Sequence, residues 1–268
     1  QKLKVWLKSG YMERGMFNPT NEGTPQGGII SPALANMTLD GMETLLESSF
    51  KRQDKVHIVR YADDFIITGN SKEMLQDKVK PLIEKFFMER GLTLSEEKTL
   101  ITHIDKGFDL LGFNFRKYKG KLLTKPAKSS IARVKERIRD ILKSNKTGET
   151  DNLIQRLNPI IRGWANYYRH VVSKKVFGSI DHAIWKTTWQ WSVRRHPKKS
   201  SRWIKDKYFQ REGNRDWVFG EKKGAERLLR MSDIPIRRHI QIKADANPYD
   251  PQWYDYFAKR SQPKQPGS

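Results

Sequence analysis

Two adjacent carboxylates, Asp63 and Asp64, lie between the runs Val56-His57-Ile58-Val59-Arg60-Tyr61 and Phe65-Ile66-Ile67-Thr68. Both runs are β-branched and aromatic, so they read as strands joined across Ala62-Asp63-Asp64. A two-residue hairpin turn ordinarily uses Asn-Gly or Asp-Gly, because glycine takes the left-handed backbone at little cost. No glycine stands here, and neighbouring carboxylates repel each other unless a cation offsets them. Taken alone, an Asp-Asp turn is more often a solvated turn than a metal site. The chemistry that would use it is nucleotidyl transfer. Two Mg²⁺ ions on hard oxygen ligands activate a primer 3′-hydroxyl and stabilise the leaving pyrophosphate.

Further upstream, Gly23-Thr24-Pro25-Gln26-Gly27-Gly28-Ile29-Ile30-Ser31-Pro32 is a glycine-rich loop feeding a helix. By itself such a loop is more often a connector than a phosphate cradle. Paired with the carboxylate turn, it stops being an isolated signal.

The elements around these residues are legible from periodicity. Residues 1–20 read as a helix that breaks near Gly15 and Asn18-Pro19, with Leu3, Trp6, Leu7 and Tyr11 on it. Ser31-Pro32 reads as a cap followed by a proline preset for a first helical turn. Leu34, Met37, Met42, Leu45 and Leu46 then continue an apolar helical face. A second helix is expected from Ser71 to about Arg90, apolar through Leu75, Val79, Leu82, Ile83 and Phe86 and stopped by Gly91. Strands are expected at 98–104, 108–118 and 121–125, the last two paired through Lys119-Gly120. After Pro126 the pattern turns helical, with Ile131, Val134, Ile138 and Ile141 in a stripe. A polar loop at 143–151 and two more helices, 153–172 and 178–195, make 127–195 a three-helix bundle. From His196 onward the chain is basic, aromatic and poorly periodic. The end, 261–268, is expected to be disordered or a remnant of cloning.

Composition narrows the function classes. Fifty-two Lys and Arg against thirty Asp and Glu give a net charge of +22. Such an excess repels itself and calls for a polyanionic partner. Zero cysteines exclude disulfides, iron–sulfur clusters and thiolate zinc sites. The six histidines show no metal-ligand spacing, and no run of about 18 apolar residues or signal peptide is present. A membrane is therefore not an expected partner.

Together the loop and the Tyr61-Ala62-Asp63-Asp64 turn resemble the palm of reverse transcriptases, and the loop's wording resembles the group II intron lineage. Further motifs fall in that family's order. Gly91-Leu92-Thr93-Leu94 with Glu97-Lys98-Thr99 resembles the segment after the palm hairpin. Phe108-Asp109-Leu110-Leu111-Gly112-Phe113 resembles the primer-grip strand. Asn158-Pro159 with Arg162-Gly163-Trp164-Ala165-Asn166-Tyr167-Tyr168 resembles the maturase region that overlaps the thumb. The resemblance implies an α+β fold: a partial palm at 1–125, made of an antiparallel sheet with packed helices. An α-helical thumb and maturase bundle at 126–195 follows. A basic DNA-binding region at 196–247 comes next, then 248–268 as lead-in to an endonuclease domain plus a tail. That endonuclease needs downstream histidines and usually cysteine pairs, so it is not expected here.

The same resemblance assigns roles. Asp63 and Asp64 would ligate two Mg²⁺ ions, and Tyr61 and Ala62 would approach the primer end. Pro25, Gln26 and Gly27 would line the incoming deoxynucleoside triphosphate and the template. Lys98 would assist the departing pyrophosphate as general acid or point charge, or be an ordinary solvated lysine. Leu111, Gly112 and Phe113 would hold the primer through their backbone, or belong to the core. Arg162, Trp164, Tyr168, Arg169, Lys174 and Lys175 would contact RNA, although tryptophans and tyrosines at helical spacing are more often core. Arg194, Arg195, Lys198, Lys199, Lys205, Lys207 and Arg211 would contact DNA, or form a solvated basic surface. The family also needs a third carboxylate on an earlier palm strand. It is expected, with the fingers, ahead of Gln1, so these 268 residues alone are not expected to extend a primer.

The function implied is RNA-directed DNA synthesis by a mobile group II intron protein, primed at a DNA target, together with intron RNA binding that assists splicing. Its partners would be intron RNA, an RNA template with a DNA primer, and target DNA, in a bacterial cytoplasm close to the nucleoid. A homodimer is left open. Two alternatives stand beside it: a maturase that binds RNA without polymerising, and a domesticated relative serving repair or defence.

Overall fold

The computed structural model describes residues 10–13, 15–18, 30–243 and 246–261, and the chain divides into two units, 1–122 and 123–268. The first described elements are β1 (Tyr11–Glu13) and β2 (Met16–Asn18), antiparallel about a turn containing Gly15. The helix expected over 1–20 is therefore absent from its described part: Gly15 sits at φ 81 and reverses the chain into a hairpin. Residues 1–9, like the loop at 21–29, lie outside the described residues.

α1 (Ser31–Thr38) starts with Ile30, not Ser31, as the residue before the helix, and no side chain caps it. The continuous apolar helix expected beyond it breaks in two, because Gly41 adopts φ 86 and restarts the chain as α2 (Met42–Ser49). Met37 is consequently left exposed while Met42 and Leu46 are buried. β3 (His57–Tyr61) and β4 (Asp64–Thr68) form a two-stranded antiparallel sheet.

The next helix is entered through a π-turn over Met74–Val79 and continues as α3 (Lys80–Met88). Lys80 N–H bonds to the Leu75 carbonyl one residue beyond the usual partner, just before Pro81, which has no N–H to give. α3 stops as the sequence implied. The Leu92 N–H reaches the Phe87 carbonyl at 2.9 Å, and the Gly91 N–H reaches Met88 at 3.1 Å, with Gly91 at φ 68. That double closure is a glycine C-cap. Leu39, Met42, Leu46, Val79, Ile83, Phe86 and Phe87 make the core of this unit, with Ile58, Phe65 and Ile67 of the sheet packed on it. Phe65 meets Phe87 edge to face at 5.9 Å.

The strand expected at 98–104 is absent. The N–H groups of Lys98 and Thr99 turn back onto the Ser95 carbonyl, and the chain stays irregular to 107. The long strand expected over 108–118 is two, β5 (Phe108–Leu110) and β6 (Phe113–Tyr118), folded back at Leu111-Gly112. β7 (Lys121–Pro126) follows the Lys119-Gly120 turn in a sheet of order β5-β6-β7.

The second unit is built on three helices, α4 (Lys128–Ser144), α5 (Thr150–Tyr168) and α6 (Lys174–Arg195). They are the bundle read from the sequence. Val134, Ile138 and Leu142 of α4, Leu153, Ile154, Leu157 and Ile161 of α5, and Phe177, Ile180 and Ile184 of α6 are buried. The segment after His196 is more ordered than its weak periodicity suggested. α7 (Ser201–Tyr208) leads into the hairpin β8 (Phe209–Glu212) and β9 (Arg215–Phe219), which buries Tyr208, Phe209, Val218 and Phe219. Beyond it the chain crosses α5 and α6 as an extended strap. Asn158 donates from Nδ2 to the Arg227 carbonyl and accepts the Leu229 N–H, both at 2.9 Å. Asp181 accepts the Met231 and Ser232 N–H groups at 2.8 and 2.9 Å. The Ala225 N–H bonds to Asp151 at 3.0 Å, and the Arg237 N–H to the Arg169 carbonyl at 2.9 Å. α8 (Tyr254–Ser261) ends the described chain.

Candidate active site and nucleic-acid interface

Tyr61 pairs with Asp64 across β3 and β4, so the turn itself is Ala62-Asp63 and Asp64 already belongs to the strand. Ala62 has φ 55, a backbone region in which a residue with a side chain is strained. Such strain persists only where surrounding contacts hold it. Ile58 and Arg60 turn toward the unit's interior, while His57, Val59 and Tyr61 face outward. Asp63 and Asp64 are exposed, and neither has a side-chain hydrogen bond or ion pair to another described residue. Two unengaged carboxylates fit a hard divalent cation in kind. Among the described residues no group of three potential ligands gathers around any point. Asp63 and Asp64 thus stand as two carboxylates without a third potential ligand beside them among the described residues.

Lys98 is exposed in the turn after Ser95, and no contact among the described residues links it to Asp63 or Asp64. Pro25, Gln26 and Gly27 lie outside the described residues. Leu111 and Gly112 have φ values of 50 and 80, so two successive left-handed residues form the tip of a tight hairpin. The proposed grip is thus a hairpin tip followed by Phe113 at the first position of β6.

In the second unit the residues read as RNA contacts separate into two groups. Arg162 and Lys175 are exposed. Tyr168 is only 4% exposed and packs against Trp164 at 4.3 Å, so it is a packing residue and not an RNA contact. Trp164 is half-buried, with the Phe177 ring 5.9 Å away. Lys174 donates to the Ser232 carbonyl of the strap, whereas the Arg169 side chain donates to Asn166 Oδ1 at the end of its own helix. Tyr167, by contrast, is 52% exposed.

The basic stretch divides in the same way. Arg194, Lys198 and Arg211 are exposed. Arg195 lies 4.5 Å over the Trp191 ring and donates to the Gly148 carbonyl, which makes it structural in position. Lys199 and Lys207 flank the Trp203 ring at 5.4 Å, and Lys205 sits 5.2 Å from Trp217. These ammonium groups are held on aromatic faces, a geometry that fixes cations at the surface. Sequence reasoning missed a groove of about 690 Å³ lined by Arg133, Arg137 and Arg156 with Glu136 and Asp140. Arg133 and Arg137 lie off the apolar stripe of α4, which was the one available signal, and Arg156 comes from α5.

His196 shares a 2.8 Å hydrogen bond with the buried Tyr208 hydroxyl and meets Trp203 at 4.8 Å. Burial, and then the positive charges of Lys207, Arg195 and Lys199, hold its pKa below the ordinary imidazole value. The unfolded chain takes up this proton near pH 6.5, the folded chain only at lower pH. In the window below pH 6.5 the unfolded state thus binds more protons, and folding stability falls as pH drops. Melting temperature is expected to fall more steeply between about pH 7 and pH 5 for the natural chain than for His196→Gln. Equal slopes would remove this histidine from the account.

A carboxylate hairpin on an α-helical support, followed by a hairpin and a basic helical bundle, is the order of parts that the resemblance to the reverse transcriptase class implied. Comparison with known families gives the same answer. Residues 2–115 match the reverse transcriptase (RNA-dependent DNA polymerase) family and residues 131–209 the group II intron maturase-specific domain. Group II intron-encoded protein LtrA of Lactococcus lactis is 30% identical over 176 residues, covering 43% of this chain and 29% of that protein. Protein YkfC of Escherichia coli is 28% identical over 138 residues, covering 40% of this chain and 35% of its own length. An uncharacterised 91 kDa protein in the cob intron of Schizosaccharomyces pombe is 26% identical, across 69% of this chain. The chain spans about a third of the length of the curated relatives it matches. It belongs to the group II intron-encoded reverse transcriptase and maturase family.

Proposed function

We propose that the protein containing this chain is an RNA-directed DNA polymerase that also binds its intron RNA and assists splicing. The observation that carries the reading is the Asp63–Asp64 pair. The two carboxylates stand on a strained turn, without side-chain partners among the described residues, inside the region matched by the reverse transcriptase family. Asp63 and Asp64 would hold Mg²⁺, which when bound activates the primer 3′-hydroxyl and steadies the departing pyrophosphate. The chain's own residues then supply position. Tyr61, Ala62 and the Leu111-Gly112-Phe113 hairpin would set the primer end against the carboxylates, and Pro25, Gln26 and Gly27 would line the nucleotide. Lys98 would place a positive charge near the leaving group. The direct test is Mg²⁺-dependent copying of an RNA template from a DNA primer by the full-length protein. A preparation that binds template but makes no cDNA would overturn the polymerase reading.

Intron RNA and target DNA are the proposed partners of the second unit, with the exposed Arg162, Lys175 and Tyr167 proposed to meet RNA and the exposed Arg194, Lys198 and Arg211 to meet DNA. Exposed cations on phosphates give an affinity that depends on counterion release. RNA binding is expected to weaken by roughly tenfold or more when salt rises from about 50 to 200 mM, with several phosphates neutralised. A flat response would mean that the cations do not contact the backbone. A location in the bacterial cytoplasm close to the nucleoid, where target DNA lies, is part of the same proposal.

A further inference from the structure

We infer that Arg60 is the positioning residue of the carboxylate turn, fixing its backbone from two helices at once. This rests on the polymerase reading above. Arg60 lies on β3, three residues before Asp63, and its side chain turns inward, 16% exposed. Its Nε donates to Glu43 Oε1 of α2 at 2.7 Å. Its Nη1 donates to Asn36 Oδ1 of α1 at 3.0 Å and to the Ala62 carbonyl at 3.2 Å. One planar guanidinium thus joins both helices to the strained residue of the turn.

The geometry explains two features. Ala62 holds φ 55 without being glycine, and the bond to its carbonyl is a contact that opposes relaxation of that conformation. A guanidinium beside a metal-binding turn would also compete for the carboxylates, but here Glu43 matches its charge. Burial of Glu43 raises its carboxyl pKa, yet the hydrogen bond from Arg60 and further lowering contributions outweigh that and leave it below the ordinary carboxylate value. The charge of Arg60 is therefore spent inward and Asp63 and Asp64 are left to a cation. α1 is also the helix fed by the glycine-rich loop, so through Asn36 the clamp ties the nucleotide-side loop's supporting helix to the turn. A lysine has no fork and offers no such three-way geometry.

The test uses the full-length protein with Arg60→Lys, Arg60→Ala and Asn36→Ala, read by Mn²⁺ binding followed by electron paramagnetic resonance and by primer extension. Circular dichroism melting serves as the folding control. Both Arg60 variants are expected to weaken Mn²⁺ binding and to lower kcat by roughly 10- to 100-fold, the usual loss when a residue supporting a metal ligand is removed. The Mg²⁺ concentration for half-maximal extension should rise, and the KM for primer–template should stay constant. Asn36→Ala, which leaves the Glu43 pair intact and should fold normally, is expected to lose a few-fold in the same two readouts. Folded variants with unchanged cation binding and unchanged kcat would overturn the assignment. So would losses that follow the folded fraction with no shift in Mg²⁺ demand. If Arg60→Ala does not fold, Arg60→Lys and Asn36→Ala decide the matter. A wild-type protein that binds Mn²⁺ at this turn but makes no cDNA would instead sink the polymerase reading, while the clamp would still be judged on cation binding.

Discussion

Asp63→Asn in the full-length protein is expected to cut Mg²⁺-supported primer extension by at least about a thousandfold, since a bound metal supplies several kcal/mol of transition-state stabilisation. Asparagine keeps the size and one oxygen of aspartate but removes the negative charge that binds the cation. The folding cost should be small. Asp63 is exposed at the tip of the turn, and its side chain has no partner among the described residues, so no packing or hydrogen bond there is lost. Melting temperature and intron RNA affinity are accordingly expected to remain within experimental error of the natural protein. The decisive comparison is extension rate against RNA affinity in the same preparation. If both fall together, the carboxylate shapes the structure; if neither falls, the turn is a solvated surface turn and the metal reading is wrong. Asp64→Asn should behave similarly, because the pairing of Asp64 with Tyr61 is made by the backbone, which the substitution leaves intact.

The parts of the fold that were legible are those written in local period. The stripe Ile131, Val134, Ile138, Ile141 predicts α4, and Gly91 ends α3 by a cap that only glycine makes cheaply. The carboxylate turn was legible because its residue types conflict with an ordinary turn. Errors came where short segments carry too few residues to set a period. Residues 11–18 alternate too briefly to separate a hairpin from a helix, and 98–104 is apolar enough for a strand but is folded back on Ser95. Leu111-Gly112 looks in sequence like uninterrupted strand, because leucine rarely takes the φ of 50 that it adopts here. The aromatic readings divided by burial: Tyr168 and Trp191 are core, whereas Tyr167 is exposed, a distinction that spacing alone does not make. Arg60 was hidden for another reason. Its partners, Glu43 and Asn36, lie 17 and 24 residues away, and no local pattern announces a clamp across three elements. The strap was hidden in the same way, since the side chains of α5 and α6 that hold it lie 50 or more residues from the backbone groups they bond.

That strap gives the largest expected effect on stability, through Asn158→Ala. Asn158 stands on the buried face of α5, next to Leu157 and four residues after Ile154, where an apolar residue would be expected. Asparagine inside a helix is locally unfavourable because its amide competes with the backbone. Here both ends of the amide are used, donating to the Arg227 carbonyl and accepting the Leu229 N–H, with the residue 8% exposed. Alanine would remove both bonds and leave a backbone carbonyl and an N–H unpaired beside the helix. The expected loss is about 2–4 kcal/mol, from two hydrogen bonds worth about 1 kcal/mol each plus the cost of unsatisfied groups. Asn158→Asp should be no better, because it keeps the acceptor for Leu229 but sets a carboxylate against the Arg227 carbonyl. Chemical denaturation followed by tryptophan fluorescence reads the change, since Trp189 and Trp191 lie on α6 against the β8–β9 hairpin that precedes the strap. Faster proteolytic cutting between 221 and 239 should accompany it if the strap loosens locally. A stability change below about 0.5 kcal/mol would mean that Asp181 and Asp151 hold the strap without Asn158. The polar residue on the core face of α5 would then need another explanation.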